Sequence, residues 1–71
     1  MKKRDLIILI RDTAQKEELL FVKLRGNGAH EIWTLGNLQI VIPKNREIKR
    51  YTARAIMKQC EERLGVNWWK P

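Results

Sequence analysis

The chain has 71 residues and a mass of 8.5 kDa, which gives one domain and excludes a multidomain enzyme, a large cofactor cleft or a full-sized wound α/β sheet. Fifteen Lys and Arg against eight Asp and Glu leave a net charge of +7 and a pI near 10.1, a balance that favours a polyanionic partner. A chain this short buries only about 60% of its unfolded surface, so a partner that supplements the core is expected.

One cysteine, Cys60, excludes an internal disulfide, and one Cys with one His cannot supply the ligands of a zinc site. No metal or other cofactor is expected. The longest aliphatic run, Leu6 to Ile10, is five residues against the roughly 20 of a spanning helix, and no small-residue cleavage site follows it. Neither a membrane anchor nor a signal peptide is expected, and a reducing cytoplasm is the natural setting.

Residues 3–18 lack Gly and Pro, and Leu6, Ile10 and Ala14 recur with Ile7 beside them, which predicts an amphipathic helix with Asp5 in its first turn. In LLFVKLR, residues 19–25, the alternation of Leu20, Val22 and Leu24 against Lys23 and Arg25 predicts a strand that buries those three aliphatic residues. Gly26-Asn27-Gly28 breaks it. Residues 29–35 carry Ile32, Trp33 and Thr34, Gly36-Asn37 turns the chain, and Leu38, Ile40 and Ile42 share one face of a third strand. Pro43 ends that strand and opens a basic loop. Thr52 then offers an N-cap to a helix whose Ala53, Ile56, Met57, Cys60 and Leu64 form one stripe, and Gly65 stops it. The order is α-β-β-β-α, an α+β chain whose two helices cover one face of a three-stranded antiparallel sheet and leave the other to a ligand.

His30 is the only histidine and stands at the start of a strand, just after the glycine turn. Imidazole exchanges protons near neutral pH, which suits a general acid or base. Taken alone, a histidine at a turn is more often without catalytic duty. Glu31 cannot orient it, because adjacent strand residues point to opposite faces. The same alternation puts Trp33 on the face away from His30, in the core, and Cys60 lies on an apolar stripe where a small core residue is the natural reading. Trp68 and Trp69 follow the helix stop and suit packing at a core edge.

Residues 43–58 carry six bases and one acid, so this segment supplies +5 of the +7. Lys44, Arg46, Lys49 and Arg50, with Arg54 and Lys58 continuing onto the helix, predict a phosphate-backbone surface. Lys23 and Arg25 add to it from the first strand. The glycine turn lacks the Lys-Ser/Thr pair and following helix of a phosphate loop, but the Gly28 amide can donate to a phosphate oxygen beside His30.

Four blocks, taken in order, resemble a known family: KRDLI (3–7), GxGAHEIW (26–33), IPKNREI (42–48) and YTARxIxKQ (51–59). Together with LGxxWW (64–69), they look like a HicA-type mRNA interferase toxin of bacterial HicAB toxin–antitoxin systems. The resemblance implies a double-stranded-RNA-binding-like fold, metal-independent cleavage of single-stranded mRNA, a HicB-like antitoxin partner, and His30 as the catalytic residue. Cleavage of this kind needs only a base, because RNA supplies its own 2′-OH nucleophile while cations steady the phosphate. Two positions depart from the family pattern. Ala29 stands where Ser is usual, and Asn45 where a second histidine is common. A catalytically silent RNA-binding module is the alternative reading, and a duplex-DNA module ranks third for want of a helix-turn-helix.

Overall fold

The computed structural model describes residues 1–71. The chain runs α1 (Lys3–Lys16), β1 (Phe21–Asn27), β2 (His30–Leu35), β3 (Leu38–Pro43), α2 (Arg50–Gln59) and a single further turn, α3 (Glu61–Leu64). The strands form one antiparallel sheet in the order β1-β2-β3. The expected α+β, double-stranded-RNA-binding-like meander between two helical segments is what the chain adopts. No helix is long and apolar enough to cross a membrane.

Both hairpins close in two residues. Asn27 pairs with His30 and Leu35 with Leu38, which leaves Gly28-Ala29 and Gly36-Asn37 as the loops. Their first residues, Gly28 and Gly36, have φ of +62° and +61°, the pattern of type II′ turns, whose twist matches that of the flanking strands.

One sheet face carries the core. Phe21, Trp33, Leu35, Ile40 and Ile42 meet Leu6, Ile7, Ile10 and Ala14 of α1 and Ala53, Ile56, Cys60 and Leu64 of the C-terminal helices. Phe21 and Trp33 stack with ring centroids 4.7 Å apart. Trp68 closes the core edge beyond Gly65, its indole N–H donating to the Met57 carbonyl at 2.7 Å, and Trp69 meets it edge-on. Ile32 is buried as well, but outside this cluster, on the opposite face between Arg25 and Val41.

Three expectations are corrected. Leu20, Val22 and Leu24 are exposed, at 76%, 47% and 51%, and the residue β1 buries is Phe21. The alternation is real, but its aliphatic phase faces solvent, because Phe21 fills the core position opposite Leu35. The last helix begins at Arg50 and has no side-chain cap, so Thr52 lies within its first turn. The Ile48 side chain is buried just ahead of Arg50 and fixes where the chain can enter the helix. The predicted single C-terminal helix is also interrupted at Cys60, although its apolar stripe continues through Leu64.

The register yields a direct comparison. Phe21→Ala should lower stability by about 3–5 kcal/mol, whereas Leu20→Ser should change it by less than about 0.5 kcal/mol. Urea unfolding midpoints of the two variants check this, and the opposite order would restore the alternate register.

Candidate functional site

His30 is the first residue of β2, and it is exposed on the face of the sheet that the helices leave open. Its ring makes no hydrogen bond to the protein. Across the ladders it faces Asn27 on one side and Pro43 on the other. The N–H groups of Gly28 and Ala29 donate to no backbone carbonyl, while the Ala29 carbonyl accepts from Lys44 N–H at 3.0 Å. Two unengaged amides therefore stand beside an exposed imidazole, an arrangement that can receive an anion.

Directly beneath lies the only buried charge. Glu31 is 8% exposed and points to the helix side. It accepts from Trp33 Nε1 at 3.0 Å and pairs with Lys3 Nζ of α1 at 2.7 Å and Lys23 Nζ of β1 at 3.5 Å. Burial alone would push this carboxyl up. The hydrogen bonds from Lys3 and Trp33 and the charges of Lys3 and Lys23 outweigh it, and the net direction is below the ordinary value.

The loop after β3 is fastened to the start of the chain. Lys3 N–H donates to the Arg46 carbonyl at 2.8 Å, Ile48 N–H donates to the Met1 carbonyl at 2.7 Å, and Lys2 and Glu47 form a β-bridge. This brings Lys2, Lys3, Arg4 and Arg11 alongside Lys44 and Arg46 around an open groove of about 800 Å³. The Lys44 side chain lies across Gly26, where an added Cβ would come within 3.2 Å of its Nζ.

Comparison with protein families matches residues 17–61 to HicA toxin of bacterial toxin–antitoxin systems. The matched segment covers more than half of the chain and includes the glycine turn, His30, the basic loop and α2. The chain belongs to the HicA toxin family. It is thus the toxin of a bacterial toxin–antitoxin pair, and a cognate antitoxin partner follows from that membership. Comparisons with curated proteins and with solved structures gave no match.

In this HicA chain the fold separates the residues singled out from sequence. A bulge at Leu24 shifts the β1 register between Lys23 and Arg25. Lys23 consequently faces the helix side, paired with Glu31, while Arg25 faces the open side, opposite Ile32 and diagonal to His30. Arg25 and Gly28 are brought to the neighbourhood of His30; Lys44 reaches it only through its backbone, its side chain lying over Gly26 on the helix side, where Lys23 also points. Arg46 continues from Lys44 into the groove. Lys49, Arg50 and Arg54 are exposed at the start of α2, and none forms an ion pair or hydrogen-bonds to the His30 turn. The basic residues of α1 were missed from sequence. Their signal was the KKR run at 2–4, but nothing local says that it meets the loop at 44–46.

Cys60 is fully buried, and burial pushes its thiol up to about 12, the environment of an inert core cysteine. Nowhere do three or more His, Cys, Asp or Glu side chains gather into a cluster that could hold a metal ion.

The Glu31 latch has a pH signature. The folded chain holds this proton less tightly than the unfolded chain, so the stabilisation is complete above the ordinary carboxylate value of 4.5 and fades as pH falls through the lowered folded value. Glu31→Gln should be less stable than the parent by roughly 1–3 kcal/mol at neutral pH, and that difference should narrow below pH 4.5. Urea unfolding of both proteins across this range is the measurement.

Proposed function

We infer that this HicA toxin is a metal-independent endoribonuclease that cleaves single-stranded mRNA in the cytoplasm, with His30 as its acid–base group and a HicB-like antitoxin covering the site. The observation that carries the reading is the placement of His30 in a family of toxins. The chain's single imidazole is exposed on the open sheet face, with free turn amides and one arginine, Arg25, beside it.

The chemistry suits what is present. A phosphodiester seated at the turn would accept hydrogen bonds from the Gly28 and Ala29 amides, with Arg25 beside it on the open face and the Lys44 ammonium around the end of the sheet. His30 takes the proton from the ribose 2′-OH as that oxygen attacks phosphorus. The bond to the 5′-oxygen breaks, water protonates the departing oxygen, and the imidazolium later returns its proton to solvent. The products are a 2′,3′-cyclic phosphate and a 5′-hydroxyl. The cations and amides act where negative charge builds on the phosphoryl oxygens, and positioned proton transfer contributes roughly 10² to 10⁴-fold. Arg46, Lys49, Arg50 and Arg54 extend the positive surface that holds the rest of the strand.

Ala29 and Asn45 occupy positions that supply no hydroxyl and no second imidazole, so proton transfer rests on His30 alone. Because its side chain is exposed and unbonded, His30→Ala should leave the unfolding temperature unchanged and lower cleavage by at least about 10²-fold. Induced expression of both chains, read by growth and by 5′-end mapping of cellular mRNA, tests this. A parent chain that binds RNA and leaves it whole would make this a silent RNA-binding module, and equal cleavage by both chains would remove His30 from the mechanism.

A further inference from the structure

The groove between α1 and the loop after β3 has no part in the chemistry above, and its α1 wall lies outside the segment that matches the family. Its charge is unusual in how little of it is compensated. Of the lining cations, Lys3 is paired with Glu31, and the one carboxylate on the rim, Glu47, is paired with the N-terminal ammonium at 3.1 Å. Lys2, Arg4, Arg11, Lys44 and Arg46 form no ion pair. Five uncompensated positive charges around one depression repel one another and destabilise the folded chain, a repulsion that a bound polyanion would relieve.

The groove is also built in advance. Its two walls are joined by the main-chain bonds between residues 1–3 and 46–48 and by the Lys3–Glu31 pair, so no loop need close to gather the cations. Its apolar lining is Ile7 and Ile8, the latter 45% exposed. It holds no aromatic ring on which a base could stack. Such a surface recognises a sugar–phosphate backbone with little regard to sequence.

Lys44 links the groove to the candidate active site. Its backbone N–H is bonded to Ala29 in the turn before His30, and its side chain lines the groove. It follows Pro43, the cross-strand partner of His30, so the Lys44 and His30 α-carbons are within roughly 9 Å by chain geometry. A strand with one phosphate at His30 can therefore pass the end of the sheet and continue along α1.

We propose that this groove is an extended RNA subsite, in which Lys2, Arg4 and Arg11 hold the backbone of the same strand several nucleotides from the bond cut at His30. The proposal rests on the ribonuclease reading, and it makes cleavage length-dependent. Long RNA gains contacts that a dinucleotide cannot make.

The test is the triple variant Lys2→Gln/Arg4→Gln/Arg11→Gln, which spares the Lys3–Glu31 latch. Its unfolding temperature should equal or exceed that of the parent, because repulsion has been removed. For an RNA of about 12 nucleotides, KM should rise roughly 10-fold or more with kcat unchanged, and dinucleotide cleavage should be the same as for the parent. In a His30→Ala background, fluorescence anisotropy should show the same loss of affinity for the longer RNA, with a salt slope shallower by about 2 log units per decade. This binding arm decides the groove even if the parent chain cleaves nothing, an outcome that would sink the catalytic reading alone. Unchanged affinity for the longer RNA would overturn the proposal. Unchanged RNA affinity together with lost affinity for a polyglutamate peptide would also overturn it, assigning the groove to an acidic protein segment.

Discussion

A single carboxylate organises this protein. Glu31 gathers Lys3 from the first turn of α1, Lys23 from the edge strand and the Trp33 indole from its own strand. Lone burial would raise the energy of that charge, and only the combined donors make it tolerable. Its neighbour His30, pointing the other way because side chains alternate along a strand, is fixed in position by whatever fixes Glu31. The same residue thus ties the helix to the sheet and steadies the end of β2 that presents the imidazole. With Lys3 drawn onto Glu31, Lys2 and Arg4 are carried to the loop after β3.

The sheet's two faces divide the remaining work. The covered face holds almost all of the apolar core, and the open face holds His30 with Ile32, Arg25 and Val41 around it. The bulge at Leu24 is what makes the division possible. Without the extra residue, Lys23 and Arg25 would share a face, and either the latch would lose a cation or the open face would lose its arginine. One inserted residue in β1 lets two basic residues two positions apart serve opposite sides of the sheet.

Much of this was legible in the sequence, for reasons that also explain what was not. The stripes on α1 and α2 obey a 3.6-residue period that only a helix satisfies, and Gly36-Asn37 between β-forming runs marks a two-residue turn. Gly26-Asn27-Gly28 marks only a break, which the fold narrows to Gly28-Ala29, with Gly26 and Asn27 still paired in β1. The covered helix face, the buried Trp33 and the core Cys60 follow from those patterns. The alternation Leu20, Val22, Leu24 misled because a period of two says that a strand has two faces but not which one is buried, and Phe21 settled the choice through its partners Leu35 and Trp33. Thr52 is a good cap by type, yet the buried Ile48 sets the helix entry earlier. Exposure of His30 followed from local pattern; the meeting of residues 2–4 with 44–46 did not, because it joins the two ends of a chain of contacts that run through the whole fold.

On the proposed ribonuclease reading, the position of charge around His30 has a mechanistic consequence. The open face itself offers one arginine near the imidazole, and most of the uncompensated positive charge lies around the sheet end, in the groove and at the start of α2. A catalytic base surrounded closely by cations would be hindered in accepting a proton, whereas cations set one strand position or more away can grip a polyanion without crowding the ring. Separating the grip from the proton acceptor suits a site with a single histidine. On that reading, binding strength is carried by residues that need not tune the base, and the proposed base remains on a solvent-facing strand end where water could protonate the leaving oxygen that no second imidazole is present to serve.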